Sequence, residues 1–371
     1  MATFSQLREL VSHWWLSLHS SSMDSKTITS ECMYLLGTAF ESKHPDPDSL
    51  KQDDPPTSPF DTFVRRFACI PWFTYRKGFP PIKNSTWTTD VGWGCMLRSG
   101  QMLLAQALVR QVLGTECRLD SDESAQRAFA EVISLFADDS CSHAQFSLHN
   151  IIEQGLEFGK KAGEWYGPST IAHVLEKLVS QSHPSGLAAY TSDDGMIYKD
   201  RVADLCSSTT VTEGNESLIW RPLLLMLPLR LGLDRLNPLY IPVLLLFFQL
   251  PQFLGVLGGR PRSSLYLVGC QGDNVVFLDP HYPQPVVTCS HSPSILYETY
   301  RCTQPRRMSA ADLDPSLAVC FYCKDKDDFL ALCDSIEKMP PTNRLVNIAA
   351  ATPSYRNPSA ETDSADDVLE F

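Results

Sequence analysis

The hydrophobic periodicity of this chain changes near residue 186, and that change limits its fold more than any other feature. Before it, apolar residues recur at helical spacing. Leu97, Gly100, Leu104, Leu108 and Val112 fall on one stripe, while Gln101, Gln106 and Arg110 fall elsewhere. The spacing predicts a helix opening at Cys95. A second is expected over Pro168–Val179, where proline suits the first turn because its missing N–H would have no partner there. Beyond the change, short apolar runs bounded by turn residues take over: Leu187–Tyr190, Met196–Tyr198, Leu223–Leu229, Tyr266–Cys270, Val275–Leu278 and Val319–Tyr322. Gln271-Gly272-Asp273-Asn274 reads as a hairpin turn, and a short helix is expected over Asp325–Glu337. Helices early and strands late predict an α+β fold.

The domain organisation follows from the flanks. Residues 1–60 read as an N-terminal segment, helical or mixed over 1–42, then a Pro/Asp-rich connector over 43–60. Phe4, Leu7, Leu10, Val11, Trp14, Trp15 and Leu18 give its first part an amphipathic face. That helix is expected to dock on the body. Transient contact with a membrane surface is the weaker reading, because the helix has almost no basic charge. Residues 61–345 form the globular body, with a small inserted subdomain, and 346–371 an acidic, disordered tail. The apolar stretch 239–257 is broken by Pro242, Gln249, Pro251 and Gln252. It falls short of the roughly 18 clean residues a spanning helix needs, so it reads as core and no transmembrane segment is expected.

Composition narrows the function. Apolar residues make up 43% and charged residues 20%, enough for a sizeable core. A net charge of −12 argues against a nucleic-acid binder and suits partners with basic patches. Twelve cysteines without a regular framework, and no secretory leader, point to reduced thiols and a cytoplasmic protein. Only Cys320 and Cys323 form a C-x-x-C. Zinc needs four ligands and no second pair stands at matching spacing, so no metal is expected and the pair reads as a buried strand end. No G-x-x-x-x-G-K-[ST], no strand-linked G-x-G-x-x-G and no H-E-x-x-H occurs, and Gly258-Gly259 reads as a flexible turn too short for a phosphate loop. No cofactor is expected.

One constellation carries chemistry. Asp90-Val91-Gly92-Trp93-Gly94-Cys95 places two glycines in a tight turn ahead of a helix. A thiol becomes a thiolate at a helix N-terminus and beside a histidine. The same N–H groups can donate to a developing oxyanion, and Gly94 leaves room for a substrate backbone. Among the nine histidines, His281 in Leu278-Asp279-Pro280-His281 is the best base. Residues two apart in an extended segment share a side, so Asp279 and His281 can face Cys95 together. His173 falls mid-helix, and Cys141 with His143 lacks a helix-opening turn. On residues alone, a cysteine at a helix start is more often a core side chain, and an Asp-x-His more often a loop.

Five ordered blocks carry a resemblance. Trp72-Phe73-Thr74-Tyr75-Arg76 leads into Thr89–Met102. Then come Gly163-Glu164-Trp165-Tyr166-Gly167-Pro168, Pro228–Gly232, Leu257-Gly258-Gly259-Arg260-Pro261 and Leu278–His281. Over about residues 33–338 the chain resembles the autophagins, papain-like cysteine proteases of autophagy. Lys160–Gly163 and Tyr282 look closer to the C/D branch than to the A/B branch. The resemblance implies a papain-like α+β fold, with a helical part holding the nucleophile and a mainly antiparallel sheet holding the Asp-His dyad. It implies Cys95 as nucleophile, His281 as base, Asp279 as orienting group and Tyr75 as a hydroxyl near the oxyanion. Trp165 and the loop Gly258, Gly259, Arg260 and Pro261 would cover the substrate channel, admitting a glycine tail by steric exclusion.

The implied activity is cleavage after the C-terminal glycine of ubiquitin-like autophagy modifiers of the GABARAP and light-chain-three type. It covers both precursors and modifiers joined to phosphatidylethanolamine. The family's tail carries an aromatic-x-x-aliphatic docking motif, whereas here Asp366–Phe371 puts the aromatic last. Two other readings stay open: an autoinhibited or weakly active modifier-binding module, and a general papain-like peptidase of unstructured chains.

Overall fold

A computed structural model describes residues 21–23, 31–41, 58–139, 141–212, 215–288, 298–341 and 344–353. The expected helix over Phe4–Leu18, most of the connector, His291 and the tail beyond residue 353 lie outside the described residues. In chain order the elements are β1 (Ser21–Ser22), β2 (Met33–Leu35), β3 (Thr38–Phe40), α1 (Pro59–Phe67), β4 (Arg76–Lys77), α2 (Cys95–Leu113), α3 (Glu123–Ser134), α4 (Leu148–Gly155), α5 (Pro168–Ser182), β5 (Ala188–Thr191), β6 (Met196–Tyr198), α6 (Lys199–Cys206), β7 (Ser207–Thr212), β8 (Asn215–Trp220), β9 (Leu223–Arg230), α7 (Ile241–Phe247), β10 (Phe253–Arg260), β11 (Ser263–Gln271), β12 (Asn274–Leu278), β13 (Gln284–Pro285), β14 (Arg306–Ser309), β15 (Ser316–Cys323), α8 (Lys326–Glu337) and β16 (Asn347–Ala349).

Side-chain alternation explains the layering. On β15, Leu317, Val319, Phe321 and Cys323 enter one core, and Ala318, Cys320 and Tyr322 the other. β9 divides the same way, with Leu223, Leu225 and Leu227 opposite Leu224 and Met226. Strands apolar on both faces must be covered on both, which is why they read as unbroken apolar runs. Helices α2 to α5 cover one face and α6 to α8 the other. The sheet runs β1-β14-β12-β11-β10-β15-β9-β5, with the β2–β3 hairpin joined along β11. All its pairings are antiparallel except β5 on β9. The fold is α+β.

Helix α2 sits at the centre. It crosses β10 and β11 and touches α3 and α5. Every residue from Cys95 to Val109 is buried, so the expected one-sided helix is instead enclosed all round up to its last turn. Gly100 makes this possible: a Cβ there would lie 2.6 Å from Ile171 Cγ1 on α5. The second turn of α2 therefore lies against the first turns of α5.

Other expectations change in detail. Residues 33–40 form the β2–β3 hairpin rather than helix, turning through Leu36 (φ 46°) and Gly37 (φ 81°) as a two-residue turn of that hand requires. The runs at 188–191 and 196–198 part company, β5 pairing with β9 and β6 with β16. The body goes on past residue 345, because β16 pairs with β6 and the Thr352 N–H donates to Asp200 Oδ2 at 2.8 Å. It also starts before residue 61: Ser58 caps α1, accepting from the Asp61 N–H at 3.1 Å, and Pro59 fills the first turn. The 239–257 stretch is core at Val243, Leu244, Phe247 and Phe248, while Leu239 and Leu246 face out. Among the described residues ten cysteines are free thiols, but Cys141 is disulfide-bonded, against the expectation that all are reduced. Cys320 and Cys323 are buried on β15, as the strand reading has it.

Gly255 is a tight point of the central sheet. Its φ is +137°, and a Cβ would enter the ring of Tyr266, whose hydroxyl donates to the Leu254 carbonyl. Gly255→Ala is expected to cost about 2–4 kcal/mol from backbone strain and overpacking. The check is the denaturant midpoint at unchanged slope; a midpoint equal to wild type would contradict this packing.

Candidate active site

The N-terminal end of α2 is prepared by Asp90. The Asp90 carbonyl accepts from the N–H groups of Trp93 at 3.2 Å and Gly94 at 2.8 Å, closing the turn. Its carboxylate accepts from the Arg76 N–H at 2.7 Å and from Arg98 Nε at 2.8 Å. Arg98 then reaches Asp138 at 2.6 Å and Gln101 at 3.0 Å. All of Asp90, Arg98 and Asp138 are fully buried. Burial disfavours the Arg98 charge, but Asp138 and Asp90 outweigh it and hold the guanidinium ionised. Gly94 is the N-cap of α2, and a Cβ there would lie 2.5 Å from Asp90 Oδ2. No side chain caps the helix, so the first-turn N–H groups are left for the thiol and what it binds.

The dyad arrives from the sheet. Asp279 follows the last residue of β12. Its Oδ1 accepts from the His281 backbone N–H at 3.0 Å and lies 2.6 Å from His281 Nδ1. Arg306 approaches the other oxygen at 3.4 Å, and Trp72 Nε1 donates to the Asp279 carbonyl at 2.8 Å. The His281 ring, the Ser264 backbone N–H and the Tyr75 hydroxyl all act on the Cys95 thiol. Tyr75 meets the imidazole edge-on, with centroids 5.4 Å apart at 87°. Its backbone is laced to the same loop: the Tyr75 N–H donates to the Pro280 carbonyl and the Gln284 N–H to the Tyr75 carbonyl, both at 2.9 Å.

This arrangement separates charge. Burial pushes the Cys95 thiol up, but the bond to His281 and its charge, with the Ser264 N–H and Tyr75 hydroxyl, bring it below the ordinary thiol value. Burial opposes a charged His281, yet Asp279 outweighs it and Cys95 adds to the effect, raising the imidazole to about 10. Burial pushes Asp279 up, and His281 and Arg306 bring it below the usual carboxylate range. The favoured state is a thiolate beside an imidazolium anchored on a carboxylate, the state in which a cysteine is a nucleophile.

The structure brings Cys95, His281, Asp279 and Tyr75 together. The covering residues are placed differently from the expectation. Gly258, Gly259 and Arg260 lie inside β10, not in a flexible turn. A side chain at Gly259 (φ +140°) would strike the Ser263 carbonyl across the hairpin, so glycine serves close strand pairing there. The turn itself is Pro261 and Arg262, with Arg262 at φ 64°. The returning strand seals the site: Ser263 Oγ lies 3.4 Å from His281 Nε2, and Ser264 Oγ donates to Ser99 Oγ at 3.1 Å. Cys95 is 3% exposed and His281 4%. Trp165 stands on the turn into α5, 47% exposed, beside the buried Tyr166. His173 is bonded to Asp193 at 2.6 Å on the flank of α5.

Sequence reasoning missed Asp90, Arg98, Asp138, Ser263 and Ser264. The eight-residue spacing of Asp90 and Arg98 across a helix start was a usable signal. Asp138 and the serines reach the site only through tertiary packing. Among the described residues no group of His, Cys, Asp and Glu could hold a metal, and no helix is long and apolar enough to cross a membrane.

Residues 60–335 match the peptidase C54 catalytic domain. The chain belongs to the peptidase C54 family. It is a cysteine protease of the autophagin class with a papain-like α+β domain. It is 36% identical to cysteine protease ATG4A of Xenopus laevis over 349 residues, covering 88% of this chain and 83% of the relative. It is 39% identical to cysteine protease ATG4B of Gallus gallus, covering 72% and 74%, and 40% identical to cysteine protease ATG4b of Arabidopsis thaliana, covering 82% and 67%. These relatives carry A and B names, and the C/D likeness of Lys160–Gly163 and Tyr282 gains no support from them.

Asp90→Asn leaves the shape and removes the charge that pairs with Arg98. Breaking a buried ion pair on one side costs about 3–5 kcal/mol. Denaturant unfolding of the variant should show a loss of that size. A loss under about 1 kcal/mol, the range of a surface pair, would mean the carboxylate does not anchor this turn.

Proposed function

We propose that this protein is a cytoplasmic endopeptidase that cleaves after the C-terminal glycine of ubiquitin-like autophagy modifiers of the GABARAP and light-chain-three type. It trims their precursors and releases them from phosphatidylethanolamine. The observation that carries this reading is the buried Cys95–His281–Asp279 line at the uncapped start of α2. The family match supports the reaction class.

In the proposed cycle the Cys95 thiolate attacks the carbonyl carbon of the terminal glycine. The oxyanion forms where the first-turn N–H groups of α2 and the Tyr75 hydroxyl can donate to it. The His281 imidazolium gives its proton to the departing amine, which belongs to the next residue in a precursor or to ethanolamine in a lipid conjugate. The C–N bond breaks and a glycyl thioester remains on Cys95. Neutral His281 then takes a proton from water, hydroxide equivalent attacks the thioester, and the thiolate leaves. Asp279 keeps the ring oriented and stabilises its charge throughout.

Specificity is proposed to come from exclusion. The β10–β11 hairpin covers the thiol so closely that a substrate must displace it, and only a residue without a side chain fits beside the nucleophile. The same closure favours a resting, self-blocked state, which keeps the weakly active modifier-binding module as a second reading.

Purified modifier precursor, lipid conjugate and casein decide between these readings. Precursor and conjugate should be cut and casein should not. Cys95→Ser should lower precursor turnover by roughly 10³-fold or more. Replacing the substrate's terminal glycine with leucine should lower it at least roughly 100-fold. Turnover retained by Cys95→Ser, or broad casein cleavage, would overturn the proposal. Tight binding without turnover, and without a covalent adduct to an electrophilic glycine-tailed probe, would favour the binding module.

A further inference from the structure

The loop before the nucleophile carries an aromatic residue with no part in the chemistry above. Trp87 is 40% exposed, unusual for an indole one loop away from a buried catalytic turn. On one side its ring packs against Trp93, with centroids 5.6 Å apart and planes tilted by 59°. Trp93 is buried, two residues before Cys95, and its Nε1 donates to the Thr89 carbonyl at 3.1 Å. On the other side the Trp87 indole lies directly on Gly163. A Cβ at that position would stand 2.8 Å from the indole Nε1, Cε2 and Cζ2, and the glycine holds φ +86°. Two independent constraints, space and backbone conformation, thus reserve residue 163 for glycine.

Gly163 opens the short segment that carries Trp165. The segment is pinned at its near end by the Lys161 N–H donating to Glu164 Oε2 at 2.7 Å. At its far end the buried Tyr166 packs on Gly155, just before α5 begins at Pro168. Because Gly100 of α2 and Ile171 of α5 are in contact, the starts of the two helices are neighbours. The turn bearing Trp165 and the turn bearing Cys95 therefore open on the same end of the helical layer, and Trp87 spans the space between them.

We infer that Trp87 is a positioning residue for substrate selection: its indole clamps the 163–167 segment to the nucleophile turn and so holds Trp165 across the approach to Cys95. This rests on the proposed reading of Trp165 as a channel cover. Trp87 itself touches neither the thiol nor the scissile bond. Its effect is on how wide a group reaches the thiol, not on the reactivity of the thiol.

The test measures alkylation of Cys95 in the full chain, with the modified peptide quantified by mass spectrometry. A compact reagent, chloroacetamide, and a bulky one, N-phenylmaleimide, are compared. Trp87→Ala and Trp165→Ala should each speed the bulky reagent by roughly two- to tenfold, the size of one lost aromatic pair. The compact reagent should stay within about twofold in both, an effect below that of a lost aromatic pair. Trp87→Phe should fall between wild type and Trp87→Ala. The double variant should react no faster than the faster single variant, because both act on one element.

If Trp165→Ala speeds the bulky reagent and Trp87→Ala does not, the inference fails while the channel reading stands. If Trp165→Ala changes neither reagent, the channel reading fails first and the inference with it. Equal slowing of both reagents in Trp87→Ala and Trp87→Phe would make Trp87 a brace for the nucleophile turn alone, which also overturns the inference. Since Phe keeps the apolar contact, a poorly folding alanine variant leaves the phenylalanine comparison to decide.

Discussion

The carboxylate of Asp90 is the point on which the site depends. One side chain, excluded from water, receives the amide of Arg76 and the guanidinium of Arg98, while its own carbonyl closes the turn that ends at Gly94. Arg76 follows Tyr75, and Arg98 lies one turn beyond Cys95. The residue that shapes the start of the helix therefore also fixes the strand that brings the tyrosine hydroxyl. Removing two carboxylates and a guanidinium from water is costly unless they satisfy one another, so the cluster has few alternative arrangements. That rigidity is what a site aligned to within a fraction of an ångström needs.

The two halves of the fold contribute opposite kinds of order. The helical layer supplies a buried, uncapped helix start. The sheet delivers the segment just past β12, where Asp279 Oδ1 accepts from the His281 N–H and meets the His281 ring, so that the two side chains line up. Pairing a thiol with a ring anchored on a carboxylate separates charge in a place that burial alone would keep neutral. The β10–β11 hairpin then closes over the pair, with Ser263 against the imidazole and Ser264 against the thiol. In the resting protein these groups shield the thiol and the ring, so reactivity and access are set by different parts of the chain.

Much of this was legible in the sequence, for identifiable reasons. The Gly-Trp-Gly-Cys turn was legible because backbone geometry and helix start coincide in six residues. The Asp-Pro-His step was legible because its spacing matches the strand period. Helix α2 was misread as one-sided because Gln101 and Gln106, with Arg110, looked like a polar face. Both glutamines are buried, and the Gln101 side chain donates to the Phe146 carbonyl at 2.9 Å. The Gly258–Gly259 pair read as a flexible turn because glycine pairs usually are; close approach of the hairpin's second strand, which local sequence does not encode, makes them strand residues. The β2–β3 hairpin was hidden by its shortness, since three residues on each side carry too little periodicity to separate strand from helix. The contributions of Asp138, Ser263 and Ser264 depend wholly on what packs beside what.

The central claim is that the fold holds Cys95 as a thiolate beside a protonated His281. Thiolate absorbance near 240 nm tests it without any substrate, taken as the pH-dependent difference between wild type and Cys95→Ser. The account predicts a single step below the ordinary thiol value of about 8.5, moving upward toward that value in Asp279→Asn, where the ring loses its carboxylate. A step at or above about 8.5 in the wild-type protein, unmoved by Asp279→Asn, would contradict it.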